Sequence, residues 1–276
     1  MGDAKRRRAE IARLKALSPE QRQEREDEAC LQKGIDPKKA FTDSGDILAM
    51  ARRLHAHFEQ AKATRNIDVA VQYLLQKVDG SVYSLRDIPI ACGKGCSHCC
   101  TAWVSVSAPE ALYLAKLITA MGQAAMDRVR AVHAATREIE FEVRIQHPHD
   151  CPMLQDNLCT IYENRPKSCR QAVSGDSNAC ARAFRNITNE TIPTPVMYAG
   201  TRAMYSAALY AALSRSALET GAYEFSAAIT RVLDTPDAER RWLEGEDIFN
   251  GVLRERTSSS DFTNQVDFVR SEAFGN

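Results

Sequence analysis

The run Cys92-Gly93-Lys94-Gly95-Cys96-Ser97-His98-Cys99-Cys100 puts four thiols within nine residues, a density that core packing does not explain. A buried cysteine packs as a small hydrophobe, but Gly, Lys, Ser and His make poor core neighbours for it. The glycines suit a tight loop whose backbone N–H groups turn towards sulfur and support its negative charge. Cys96 and Cys99 have the two-residue spacing that lets one loop present two thiolates to one metal ion. Four more cysteines follow, Cys151, Cys159, Cys169 and Cys180, whereas Cys30 lies far upstream and reads as a bystander.

Several other chemistries are set aside by the rest of the chain. Basic and acidic residues balance, 36 against 36, so no global field draws the protein to nucleic acid or acidic lipid. The basic run Lys5 to Arg8 reads as a solvated face, and nucleic acid is not an expected partner. The most apolar stretch, Ala203 to Leu213, is short and interrupted by Ser206, so no membrane span is expected. The charged N-terminus has no apolar signal-peptide core. The expected location is cytoplasmic, where thiols stay reduced, and a disulfide-stapled secreted domain is set aside. The expected partner is a protein or small molecule that the sequence does not name.

The chain divides into a charged helical arm over 1–40 and a single helical domain over 41–276, with the cysteine core at 92–180. In the arm, Ser18-Pro19-Glu20-Gln21 has the form of a capping box. Beyond Asp43, Ile47, Ala51, Leu54 and Phe58 share one helical face, and a second helix after Asn66 is expected to bury Val69, Tyr73 and Leu74. Asp79-Gly80 predicts a break, followed by a short strand at Val82 to Leu85. His55 and His57, two apart on a helix, cannot face the same way and read as boundary residues. Ser107-Ala108-Pro109-Glu110 is a second capping box, and helices are expected over Val196–Leu218, Tyr223–Leu233, after Pro236, and weakly around Phe262–Phe274. The fold class is mainly α with minor β: an irregular cysteine-rich core framed by helices.

Within that core, Cys151-Pro-Met-Leu leads into a turn at Gln155-Asp156-Asn157, and the chain returns through Cys159, which predicts a hairpin joining two cysteines. Asn164-Arg165-Pro166 opens a helix with Cys169 one turn in. The order Cys92-x3-Cys96-x2-Cys99-Cys100, then Cys-Pro-Met-Leu, then Cys159-Thr-Ile-Tyr-Glu-Asn-Arg-Pro-Lys-Ser-Cys169-Arg170, resembles the YkgJ-like cysteine-cluster family over about a third of the chain. That family is described as zinc- or iron-chelating and includes the cysteine-rich part of flagellin lysine methylases. The resemblance implies a metal far more than it implies a reaction.

Eight clustered thiols exceed the four that a structural zinc or a cubane takes, so they make two four-cysteine sites or one site with spares. Successive side chains diverge, so Cys99 and Cys100 are expected to face different ways, one serving each of two adjacent sites. Four thiolates on a divalent ion leave a negative centre. Arg165, Lys167 and Arg170, beside Cys169, are candidates to offset it, and Arg165 and Arg170 are named for that role. His98, His147 and His149 are substitute ligands that eight cysteines make unnecessary.

Thiolates serve zinc and a 4Fe–4S iron–sulfur cluster alike, and the spare thiols favour iron–sulfur slightly. The Cys92-x3-Cys96-x2-Cys99 spacing also matches radical-SAM enzymes. The strand–helix alternation of their barrel is missing, and His98 stands where that family has an aromatic or apolar residue. The functional expectation is a metal-binding protein of structural or redox role. The alternative, implied by the resemblance, is an iron–sulfur enzyme such as a methyltransferase using S-adenosylmethionine. The sequence gives that cofactor no motif of its own, since the only Gly-x-Gly lies inside the cysteine loop. No catalytic residue is read.

Overall fold

The computed structural model describes residues 45–93, 95–139, 144, 148–185, 190–255 and 260–275, with scattered positions between 17 and 32. Within these residues the protein is mainly α with minor β, as the hydrophobic periodicity implies. The basic run of the arm, Cys30, Lys94 and His147 lie outside the described residues. The arm's capping box is seen: the Ser18 N–H donates to Gln21 Oε1 at 2.9 Å and the Gln21 N–H to Ser18 Oγ at 3.3 Å.

Helix α1 (Gly45–Thr64) buries Ile47, Met50, Ala51, Leu54, Phe58 and Ala61, the i, i+3, i+4, i+7 stripe of an amphipathic helix. Helix α2 (Asp68–Ser84) packs beside it but turns a different face inward from the one expected. Ala70, Val71, Leu74, Leu75 and Val78 are buried, while Val69 is 51% exposed and Tyr73 lies at the boundary. His55 and His57 are half-buried on α1, with His55 Nδ1 2.8 Å from Ser216 Oγ and the His57 ring against Tyr73.

The break at Gly80 and the strand at 82–85 do not occur; α2 runs on to Ser84. The buried stripe carries through Val78 and Ser81 and on to Leu85, and one glycine costs a helix only about 1 kcal/mol, so packing wins. Gly80 is exposed, and a Cβ there meets nothing within 4 Å. Gly80→Ala is therefore expected to stabilise the protein by about 0.5–1 kcal/mol, read as a higher urea midpoint with unchanged slope.

Strand β1 (Ser105–Ser107) leads directly into α3 (Ala108–Ala120), and α4 (Gln123–Thr136) follows. The capping box at Ser107 and Glu110 is present. The hairpin strands β2 (Leu154–Gln155) and β3 (Leu158–Cys159) pair antiparallel, Leu154 opposite Cys159. Asp156 and Asn157 both have positive φ, 49° and 60°, the backbone a two-residue turn between twisted strands requires. Short helices α5 (Lys167–Gln171) and α6 (Ser177–Cys180) follow, α6 continuing into a π-turn at Ala181–Arg185. Helix α7 (Val196–Arg215), strand β4 (Ala222–Glu224), α8 (Phe225–Asp234), α9 (Ala238–Leu243) and α10 (Ser260–Phe274) complete the chain.

Two helical groups form. In one, α1, α7 and α10 pack on each other; in the other, α8 packs on α3 and α4. The antiparallel pair β1–β4, Val106 opposite Tyr223, joins them. The weak pattern at the C-terminus becomes an integral helix, because Val269 of α10 is completely buried in the main core. None of the described helices is long and apolar enough to cross a membrane. In the cysteine segments, α5 packs on α2 and α6 on the turn carrying Cys99 and Cys100.

Candidate metal centre

The first cysteine loop is held at both ends. The Ala91 N–H donates to the Ser174 carbonyl at 2.8 Å, and the chain then enters a 3-10 turn, His98–Thr101, leading on to β1. Between them Gly95 has φ 86°, a left-handed conformation that a side chain would strain. Ser97 Oγ donates to Asn157 Oδ1 at 3.0 Å, tying this loop to the tip of the hairpin. The Cys151 N–H donates to the Cys100 carbonyl at 2.8 Å, and Arg185 reaches the Ser97 carbonyl and hydroxyl. Segments whose cysteines lie up to 88 residues apart, from Cys92 to Cys180, are thus tied together.

All eight described cysteines are free thiols; Cys180 is buried and the other seven are half-buried. Their electrostatic neighbours fall into two sets. Cys92 feels Cys96, Cys99 and Cys180, and Cys180 feels Cys96 and Cys99. Cys151 feels Cys159 and Cys169, and Cys169 feels Cys159. The sets meet at Cys99, which acts on Cys169 and is hydrogen-bonded to Cys100. The vicinal thiols therefore act on one another. In a 3-10 turn neighbours are separated by about 120°, against about 180° along a strand, so adjacent sulfurs can approach.

Burial pushes the Cys92 and Cys169 thiols up to about 12 each, and neighbouring sulfurs push the same way. Cys151, Cys159 and Cys180 also rise, with burial the largest cause. For Cys99 the hydrogen bond to Cys100 comes first and burial second.

Against this run several donors that favour the thiolate: the Ser174 N–H to Cys92 Sγ at 3.3 Å, the Met153 N–H for Cys151, and the Ile161 N–H for Cys159. The Ser168 side chain does the same for Cys169. The backbone donors do not stand out in the sequence, because a backbone N–H has no residue signature.

Arg165 acts on Cys99, Cys159 and Cys169 together. Its guanidinium stacks on the Tyr162 ring, 3.9 Å from the centroid, and its Nε is buried with no hydrogen-bond partner among the described residues. Arg170 behaves differently. It ion-pairs with Asp79 of α2 and donates to the Glu163 and Arg165 carbonyls, so it clamps the turn that carries Arg165. Lys167 turns away from the thiols and donates through Nζ to Ser206 Oγ at 2.7 Å. The His149 N–H donates to the Thr101 carbonyl at 3.1 Å, a backbone role.

Among the described residues, no three Cys, His, Asp or Glu side chains already stand together closely enough to hold one ion. The thiols form two neighbourhoods rather than closed ligand shells. The donor set nonetheless fits a soft cation: sulfur ligands, N–H groups aimed at sulfur, and a guanidinium with a buried, unpartnered Nε beside three of them. A bound cation reverses the electrostatics that otherwise keep buried thiols protonated.

These features define a helical protein with a cysteine-lined centre suited to metal chelation. Residues 91–189 match the model of the CxxCxxCC family, described as a "putative zinc- or iron-chelating domain". The match covers the segment picked out by the sequence resemblance, about a third of the chain. No curated protein and no solved structure matches the chain.

Proposed function

We propose that the protein holds two adjacent metal–thiolate centres of iron–sulfur type, with a structural or redox role. Cys92, Cys96, Cys99 and Cys180 are the ligands of one; Cys100, Cys151, Cys159 and Cys169 are those of the other. The carrying observation is that seven of the thiols divide into two electrostatic neighbourhoods that join at Cys99, with Cys100 tied to the second through the Cys151 N–H bond to its carbonyl. The influence of Cys100 on Cys99 supports a seam at this pair. Such clusters supply electron transfer or a rigid cross-link when bound, and hydrogen bonds to sulfur set their potential. Arg165, beside three of the thiols, offsets negative charge, and Arg170 positions it. Eight free thiols of this kind suit a reducing, cytoplasmic setting.

Anaerobic purification with elemental analysis and an absorption spectrum tests the proposal. Two cubanes give about eight iron and eight sulfide per chain and a broad visible band. Cys180→Ala and Cys151→Ala are each expected to lose about half of that content, and the double variant nearly all. A colourless protein with two zinc ions keeps the two-site partition and overturns the iron–sulfur assignment. One metal per chain with several freely alkylated thiols overturns the partition.

A further inference from the structure

One polar cluster joins segments that carry ligands of both proposed centres. At its hub is Ser97, between Cys96 and Cys99 and only 6% exposed. The Ser97 hydroxyl donates to Asn157 Oδ1 at 3.0 Å, on the hairpin turn two residues before Cys159. The same hydroxyl oxygen accepts from Arg185 Nη2 at 3.0 Å, and the Ser97 carbonyl accepts from it at 3.2 Å. Arg185 ends the π-turn that continues from Cys180. Its Nη1 pairs at 3.6 Å with Asp150, the residue before Cys151.

Other bonds run alongside this cluster. The Cys151 N–H donates to the Cys100 carbonyl at 2.8 Å and the His149 N–H to the Thr101 carbonyl at 3.1 Å. The Thr101 hydroxyl reaches the Phe184 carbonyl at 3.4 Å. Residues 96–101, 149–157 and 180–185 are thus one bonded unit, although Cys96, Cys99 and Cys180 are assigned to one centre and Cys100 and Cys151 to the other. Neither ligand set can close without placing part of its neighbour. Ordering these segments costs backbone entropy, and the centre that loads first bears that cost for both.

We propose that the two centres load cooperatively, with the Ser97 cluster as the coupling element. The first ion draws Asn157 and Asp150 onto Ser97 and Arg185, or the reverse, so the second ion meets ligands already in place. The expected coupling is about tenfold or more in affinity. The inference rests on the two-centre reading above.

Native mass spectrometry of the full chain tests it. The chain is stripped of its own metal under reducing, anaerobic conditions. It is then equilibrated with zinc, an ion that takes four thiolates, at free concentrations set by a competing chelator. Chains with no, one and two ions are counted at half-saturation. Independent sites, whatever their affinities, leave about half or more of the chains singly loaded, whereas tenfold coupling of equal sites leaves about a quarter. The wild type is expected at about a quarter or less by the same relation. Asn157→Gly keeps the left-handed turn, φ 60° at Asn157, and removes the acceptor for Ser97. Arg185→Leu cuts the links from Ser97 to Asp150 at an exposed position. The double variant is expected still to take two ions at saturation, with the singly loaded share raised about 1.5-fold or more. Two ions per chain with half or more of the wild-type chains singly loaded overturns the coupling and leaves the two centres standing. A double variant with the wild-type share overturns the role of the Ser97 cluster. Saturation of the wild type at one ion overturns the two-centre reading, and the coupling with it.

Discussion

Stripping the metal from the protein with a chelator is expected to unfold residues 91–103 and 148–185 locally while the helical body stays folded. Hydrogen bonds tie these segments together, but they bury little apolar surface. Their large buried apolar side chains are Met153, Ile161 and Val173, and their regular structure is limited to two-residue strands and short helical turns. Ordering each residue costs about 1–2 kcal/mol of backbone entropy, far more than three such side chains return. A structural metal–thiolate site contributes on the order of 10–16 kcal/mol, enough to reverse that balance. By contrast Leu54, Leu112 and Ile229 sit in the main core with 0–1% exposure and owe nothing to the thiols. Hydrogen exchange separates the two regions. The Cys96, Cys151 and Thr160 amides, each bonded to a backbone carbonyl, should lose protection on chelation, while those of α1, α3 and α8 keep theirs. Equal protection with and without metal would mean that the hydrogen bonds alone hold the cysteine segments, and that the thiols are not a structural site.

The sequence showed most clearly the features whose cause is local. The capping boxes at Ser18 and at Ser107, the hairpin turn at Asp156-Asn157 and the α5 start after Pro166 each depend on a few neighbouring residues, and each is seen in the structure. The errors came where tertiary packing chose between local options. Gly80 carries a break signal, yet the continuing stripe overrides it; Val69 is apolar, yet the face against α1 begins at Ala70. At the centre, spacing found the thiols but not their grouping. Cys180 joins Cys92 and Cys96 only because the Ala91–Ser174 bond returns the chain to the loop. Arg165 and Arg170 look equivalent in sequence, and only Asp79, 91 residues before Arg170, separates the residue that faces sulfur from the one that clamps its turn.

Glu110→Ala is expected to destabilise the metal-loaded protein by roughly 2–4 kcal/mol, the larger part of it through the cysteine-bearing helix rather than through α3. Glu110 is 2% exposed and serves two helix starts at once. Its Oε2 accepts the Ser107 N–H at 3.0 Å and the Ser107 hydroxyl at 2.6 Å, closing the cap of α3. Its Oε1 accepts the Lys167 N–H at 2.6 Å, a donor in the first turn of α5 that has no partner within its own helix. Negative charge at two helix N-termini adds to both bonds. Removing the carboxylate leaves three donors without their acceptor and loosens α5 two residues before Cys169. Glu110→Gln keeps an acceptor oxygen and the side-chain shape while losing the charge, so it should cost about half as much. Urea unfolding gives the stability difference, and the rate of metal loss to a competing chelator gives the effect on the centre. A capping role confined to α3 predicts lower stability with an unchanged rate of metal loss; the double cap predicts that Glu110→Ala lowers the first and raises the second together.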